Sequence, residues 1–307
     1  MVCASCSINP SLQLSTVVAS PTAIELTEVP FYPQEAHHCG PASLLTVLEA
    51  SGIEAGYESI AERVYVPGLT GSLQAEMTAS VRHFGRIAYP LPPEPGALLA
   101  ELAGGRPVLT LLNLGLPSRP YWHYAVVIGF DPAANWVVMR SGTERRLTTK
   151  APVWLRQWDW AGRWAIALLR PEEWPAQPDR DRLLQALADF EDAADPAAAG
   201  AAWRNAIDHW PGEPHAWLGL GNAAAMQDDW EGAETAYRRV LALAPEHLPA
   251  RINLASSLHE AGRSCAGLAQ LGGEPPAEHP LLGSFSDLES VLRDACTPPP
   301  HDPEACE

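Results

Sequence analysis

Lysine is almost absent from this sequence. Lys150 is the only lysine among 20 Lys and Arg residues, which stand against 37 Asp and Glu residues and leave a net charge of −17. Because nucleic-acid binding requires basic side chains that neutralise phosphates, this balance argues against nucleic acid as a partner. No run approaches the roughly 18 consecutive apolar residues that a membrane helix needs, so no transmembrane segment is predicted.

Cysteine is also sparse, and its six residues are scattered. They are Cys3, Cys6, Cys39, Cys265, Cys296 and Cys306. Cys3 and Cys6 have the spacing of half a zinc site, but no second Cys or His pair follows at ligand spacing, so we predict neither a metal nor a cofactor. The stretch from Cys3 is similar to the mature start of a bacterial lipoprotein, although no charged and apolar signal precedes it. Two localisations stay open: the cytoplasm, or the cell envelope with Cys3 as lipid anchor.

The most informative stretch follows Gln34. Apolar residues recur at helical spacing after Cys39, Pro41 suits a first helical turn, and Gly52 suits the far end. Cys39 is therefore predicted at a helix N-terminus, where unpaired N–H groups and the helix dipole favour a thiolate. Since the thiolate is the form in which cysteine attacks carbonyl carbons, Cys39 is the candidate nucleophile.

A cysteine nucleophile needs a base, and His123 is the best candidate. It begins an apolar run whose length fits only a strand. A cysteine on a helix and a histidine on a distant strand form the arrangement of papain-type catalysis. His37 and His38 are predicted to be loop residues near the site rather than metal ligands. For Tyr121 and Trp122, packing around the strand is the simpler interpretation and cleft lining the alternative.

These stretches resemble the bacteriocin-processing peptidases that cut after double-glycine leaders. The resemblance rests on Val29-Pro-Phe-Tyr-Pro-Gln34, Cys39-Gly-Pro-Ala-Ser-Leu44 and His123-Tyr-Ala-Val-Val-Ile-Gly-Phe-Asp131. It implies a papain-like α+β domain in which Cys39 is the nucleophile, His123 is the base and Gln34 helps to form the oxyanion hole. It also implies hydrolysis of a peptide or protein substrate after a Gly-Gly motif.

The sequence departs from the family pattern in two places. Gln34 lies one position closer to the cysteine than in most members, and no Asp follows His123 where the family has one. Asp131 is about 25 Å along the strand from His123, at ~3.3 Å per residue, and is better explained as the turn residue of a hairpin. The second hairpin strand would return Ser141 or Thr143 opposite His123. A hydroxyl, a backbone carbonyl or Asp131 thus remain as groups that could orient the imidazole.

The second half of the chain is Ala-rich and repetitive. Seven residues occupy the spacing of a tetratricopeptide repeat: Trp217, Leu220, Gly221, Ala224, Ala233, Tyr237 and Pro245. A moderate repeat precedes this one and a degenerate repeat follows, which gives about the minimum number for a stable stack. The stretch from Gly219 to Ala224 also matches a dinucleotide-binding motif, but its place inside a helix predicts packing glycines instead.

The predicted organisation has five parts. They are a disordered segment (1–27), a papain-like α+β cysteine peptidase domain (28–171), a Pro-rich linker (172–180), an all-α tetratricopeptide-type repeat domain (181–296) and a disordered tail (297–307). The repeats are expected to recruit the peptide substrate or a protein partner. Three functions remain open: a cysteine peptidase, a catalytically inactive peptide-binding module, and a Cys–His acyltransferase or amidase.

Overall fold

The computed structural model describes residues 12–17, 22–34 and 38–296. The chain divides into two compact units, Met1–Ala193 and Ala194–Glu307. Within the described ranges, no helix is both long enough and apolar enough to cross a membrane. The suggested anchor Cys3, its neighbour Cys6, the loop residue His37 and the tail 297–307 lie outside the described residues.

The first unit combines six helices with one antiparallel sheet. The helices are α1 (Cys39–Ala50), α2 (Tyr57–Val64), α3 (Gln74–His83), α4 (Pro95–Ala103), α5 (Ala151–Asp159) and α6 (Arg180–Glu191). The strands are β1 (Ile24–Glu25), β2 (Ile87–Pro90), β3 (Val108–Asn113), β4 (Trp122–Asp131), β5 (Trp136–Ser141), β6 (Glu144–Lys150) and β7 (Ala165–Leu169). The strand order is β2-β7-β3-β4-β5-β6, and β1 pairs with β4. The predicted α+β class is confirmed.

Helix α1 is buried over most of its length, from Gly40 to Leu48. Its apolar side chains, among them Leu44 and Leu48, share a core with Tyr124 and Val126 of β4. A helix that is apolar on nearly all sides is stable only inside a domain, so α1 is enclosed between the sheet and the other helices. This packing fixes the first residue of α1 beside the start of β4.

Part of the segment predicted to be disordered over residues 1–27 contacts the sheet. Leu14 is fully buried, and its backbone N–H donates to Asn135 Oδ1 at 2.9 Å. Ile24 pairs with β4, where a Cβ on Gly129 would lie 2.3 Å from the Ile24 carbonyl oxygen. A strand of two residues shows no alternation of apolar and polar residues, which explains why the sequence pattern missed it.

Helix α6 belongs to the first unit, where it packs on β2. The backbone N–H of Asp179 donates to the Tyr89 hydroxyl at 2.8 Å, and Arg82 pairs with Asp189 at 3.3 Å. The compact units thus divide after α6, whereas the sequence places the start of the repeats at residue 181. The predicted domain boundaries stay a prediction.

The second unit is entirely helical within its described residues, 194–296. Its helices are α7 (Pro196–His209), α8 (Pro214–Ala225), α9 (Trp230–Leu243), α10 (Leu248–Glu260), α11 (Ser264–Leu271) and α12 (Leu282–Cys296), and each packs on the next. Three of the predicted repeat positions, Ala224, Ala233 and Tyr237, are buried in one core. The predicted helical-repeat class is confirmed. A disulfide joins Cys265 to Cys296, a pairing that the sequence analysis missed.

The two glycines of the apparent dinucleotide motif face aromatic rings. A Cβ on Gly219 would lie 2.2 Å from the ring of Trp203, and one on Gly221 would lie 2.5 Å from the ring of Tyr237. Both glycines lie inside α8, and both rings are buried. These residues therefore allow close helix packing, as the repeat spacing predicts.

Replacing Gly221 with Ala should lower the free energy of unfolding of the second unit by about 1–3 kcal/mol, because the added methyl group must displace Tyr237. Gly212→Ala is the matched control, since no atom lies within 4 Å of a Cβ at that position. It should change stability by less than about 0.5 kcal/mol. Urea unfolding followed by circular dichroism measures both values, and equal stability of the two variants would contradict the packing role.

Candidate active site

One cleft of the first unit, with a volume of about 610 Å³, contains all three predicted site residues. Cys39, His123 and Gln34 line it together with Leu69, Thr70, Gly71, Ser72, Leu73, Pro120, Tyr121, Trp122, Tyr124 and Gly142. Tyr121 and Trp122 are 62% and 52% exposed, so the interpretation as packing residues is wrong for them. The fold thus brings together residues that the sequence separates by up to 89 positions, the difference between 123 and 34.

Cys39 is the first residue of α1, as predicted from the sequence. Burial raises the pKa of its thiol, while hydrogen bonds from the backbone N–H groups of Tyr124 and Gly40 act in the opposite direction. Burial is the larger effect, so the surroundings of Cys39 favour its neutral thiol. The helix N-terminus alone had predicted a thiolate, and desolvation is the physical reason for the difference.

His123 lies at the start of β4, directly before Tyr124, whose backbone influences the pKa of Cys39. Burial lowers the pKa of His123 to about 4, because a desolvated imidazole disfavours its charged form. A hydrogen bond joins His123 Nε2 to Ser141 Oγ at 2.9 Å. This bond occupies Nε2 and leaves Nδ1 as the other ring nitrogen of His123.

The hairpin of β4 and β5 brings the Ser141 side chain within hydrogen-bond distance of His123. Asp131 lies at the other end of β4, where its carboxylate accepts hydrogen bonds from the backbone N–H groups of Ala133 and Ala134, each at 2.9 Å. Asp131 is thus the turn residue that the sequence indicates. Of the orienting groups left open by the sequence, the structure places the Ser141 hydroxyl on the imidazole.

Gln34 is held between α1 and the turn after β5. Its Nε2 donates to Ser43 Oγ at 3.1 Å, and its Oε1 accepts from the Gly142 N–H at 3.0 Å. Ser43 lies one helical turn after Cys39, and its hydroxyl donates to the Tyr124 carbonyl at 3.1 Å. An amide NH₂ group carries two protons, so donation to Ser43 leaves one that a bound ligand could accept.

Arg140 supports this side of the cleft, and the sequence analysis did not single it out. Its side chain is buried, and its guanidinium donates to the carbonyl oxygens of Val29 at 2.8 and 3.1 Å, of Thr27 at 3.0 Å, and of Arg145. These bonds tie the segment that leads to Gln34 to the β5–β6 hairpin. An arginine within an otherwise apolar strand is the one signal that could have indicated this role.

Replacing His123 with Gln should make the stability of the first unit less dependent on pH. The imidazole takes up its proton near pH 4 in the folded chain but near 6.5 when unfolded. Stability from this group is therefore complete above pH 6.5 and is lost as the pH falls towards 4. Urea unfolding at pH 7 and pH 4 should show a loss that is roughly 2–4 kcal/mol smaller in His123→Gln. An identical loss in both proteins would contradict the burial of a neutral imidazole.

Comparisons with known proteins agree with this architecture. Residues 26–159 match the Peptidase_C39 like family, and residues 183–248 match the tetratricopeptide repeat. A search of curated proteins found no match. A crystal structure of a Bacillus anthracis protein described as a C39-like peptidase is 16% identical, with a TM-score of 0.41, and the match covers 48% of this chain and 98% of that one. The family matches confirm the predicted resemblance: residues 26–159 are similar to the Peptidase_C39 like family, and residues 183–248 are similar to the tetratricopeptide repeat.

Proposed function

We propose that this protein is a cysteine peptidase, with Cys39 as nucleophile and His123 as general base. The observation that carries the proposal is the single cleft that Cys39, His123 and Gln34 line together. The backbone of Tyr124, the residue that follows His123, lies close enough to the Cys39 thiol to lower its pKa, which supports the proposal. A nucleophile, a base and an amide donor at one site are the components of acyl transfer.

The reaction begins when a peptide carbonyl carbon approaches the Cys39 sulfur. His123 takes the thiol proton as the C–S bond forms, and the carbonyl oxygen gains the negative charge. The Cys39 backbone N–H and the free amide proton of Gln34 stabilise this oxyanion. His123 then donates its proton to the leaving amine as the C–N bond breaks. Water, deprotonated by His123, releases the acyl group and restores the thiol.

Burial determines how this pair operates. The pKa of Cys39 is raised and that of His123 is lowered to about 4, so burial favours the neutral form of both groups. His123 then becomes positively charged only when a substrate is bound, because the oxyanion donors can stabilise the matching negative charge only in that complex. The Ser141 hydroxyl holds the imidazole but supplies no negative charge, which fits a base that stays neutral down to low pH.

The resemblance to double-glycine peptidases supplies a finer form of the proposal, cleavage after Gly-Gly. The tetratricopeptide repeats supply a second one, in which the helical unit recruits the peptide substrate or a protein partner. An inactive peptide-binding module and an acyltransferase or amidase remain the alternatives. The first would show no activated thiol, and the second would transfer the acyl group to an added amine rather than to water.

The rate at which a small haloacetamide alkylates Cys39 should depend on His123. In the parent, reaction should begin above the low pKa of His123, near pH 4 to 5, because the neutral imidazole can accept the thiol proton. In His123→Ala, reaction should require a pH above the ordinary thiol pKa of about 8.5 and be roughly 100-fold slower at pH 6.5. Mass spectrometry of the peptide that contains Cys39 distinguishes its alkylation from alkylation of the other cysteines. If the pH profiles of alkylation in the parent and in His123→Ala coincide, only the alternative of an inactive binding module remains.

Replacing Ser141 with Asp should move the acid limb of the same alkylation profile to higher pH by about 1–2 pH units, because a carboxylate beside Nε2 stabilises the imidazolium. Ser141→Ala is the matched control: it removes the hydrogen bond without adding charge, so the acid limb should not move upward. A Ser141→Asp profile that coincides with that of the parent would show that Ser141 does not orient the reacting imidazole.

A further inference from the structure

Large apolar side chains are exposed on both sides of the cleft. Within the described residues, eight such side chains are exposed, and six of them belong to two segments that flank it. These six, which we call the apolar rim, are Leu69, Leu73, Leu114, Leu116, Tyr121 and Trp122, with exposed fractions of 41–62%. Leu69, Leu73, Tyr121 and Trp122 line the cleft, and Leu114 and Leu116 lie in the same loop as Tyr121. Single exposed apolar residues are ordinary, but a group of them at one cleft indicates a binding surface.

The described lining of the cleft between these segments carries no carboxylate, ammonium or guanidinium side chain. Among the described residues that line it, none is Asp, Glu, Lys or Arg, although such residues make up 19% of the sequence. A lining of this kind has no partner for a charged substrate side chain, and placing one there would strip it of water without compensation. The chemistry of the lining therefore favours apolar substrate residues over charged ones.

The segment between β3 and β4 is held in a fixed shape by Asn113, which is buried. Its Oδ1 accepts from the backbone N–H groups of Gly115 and Tyr121, each at 2.9 Å, and its Nδ2 donates to the Leu116 carbonyl at 3.4 Å. The Leu114 N–H also donates to the Tyr121 carbonyl at 2.9 Å. These hydrogen bonds therefore hold the loop that carries the side chains of this wall in one conformation.

The opposite wall is anchored to the helix that carries Cys39. The Val66 N–H donates to the Gly71 carbonyl at 2.8 Å, which closes the loop that exposes Leu69. The Ser72 side chain fills the space beside Gly40, where a Cβ would lie 2.2 Å from Ser72 Oγ. Both walls are therefore preformed, so binding loses little free energy to the ordering of loops.

We propose that the substrate of this peptidase carries large apolar side chains next to the scissile bond, and that the apolar rim binds them. This inference rests on the proposed function and names its substrate class. Continuity with the cleft of Cys39 and His123 identifies a substrate peptide as the occupant of the rim. Glycine offers no side chain for such a surface, so the inference replaces the Gly-Gly form of the proposal: the rim favours leucine or phenylalanine beside the cut.

Peptidyl chloromethyl ketones that differ only in the residue beside the reactive group test this specificity. The residue beside the reactive group is Phe, Leu, Gly, Lys or Glu. The rate at which each reagent labels Cys39 is divided by the rate of labelling by iodoacetamide, which is too small to contact the rim. The Phe and Leu reagents should give ratios roughly tenfold or more above the other three. Trp122→Ser and Leu73→Ser should reduce that advantage. Met226→Ser is the matched control, because Met226 is 61% exposed in the second unit.

Three results would overturn the inference, and they are distinguishable. Equal ratios across the series, with alkylation by iodoacetamide still dependent on His123, would reject the apolar specificity and leave the peptidase intact. Alkylation that is independent of His123 would reject the proposed function itself. A dimer in sedimentation velocity that Trp122→Ser dissociates would show that a second copy of the chain covers the rim.

Discussion

The position of α1 against β4 is the constraint on which the candidate site depends. Because α1 is buried on nearly all sides, its N-terminus cannot shift without disturbing the core that it shares with Tyr124 and the rest of β4. The same contact brings the Cys39 thiol close to the backbone of Tyr124, one residue from His123. Gln34 is held beside the same helix by its hydrogen bond to Ser43. The packing of α1 on β4 therefore also determines the positions of Cys39, His123 and Gln34.

Desolvation follows from that packing and determines the electrostatics. It raises the pKa of Cys39 and lowers the pKa of His123, so both groups favour their neutral forms. Ser141 orients the imidazole without adding charge, and Arg140 directs its own charge to backbone carbonyl groups such as that of Val29. A site of this kind separates charge only where backbone and amide donors can stabilise an oxyanion. The described residues that line the cleft include no Asp, Glu, Lys or Arg, so they too favour uncharged groups in a substrate.

Local sequence patterns predicted those parts of the fold that local patterns encode. Helical spacing after Cys39 placed that residue at the start of α1, and Asp131 in a turn sequence placed the hairpin that returns Ser141 to His123. The contacts of Arg140 with Thr27 and Val29 span more than 100 residues and leave no local pattern. The disulfide and the buried Leu14 were missed for the same reason. Burial, which decides the charge of the site, depends on the assembled core and cannot be read from a helix terminus alone.

The most direct test of nucleophilic catalysis by Cys39 is the intact mass of the chain after rapid mixing with an apolar peptide p-nitrophenyl ester and acid quenching. The account predicts a transient mass increase equal to the acyl group, located on Cys39, absent in Cys39→Ala and slower to form in His123→Ala. Release of p-nitrophenol with no adduct on Cys39, or binding of the peptide with no acyl transfer, would contradict it.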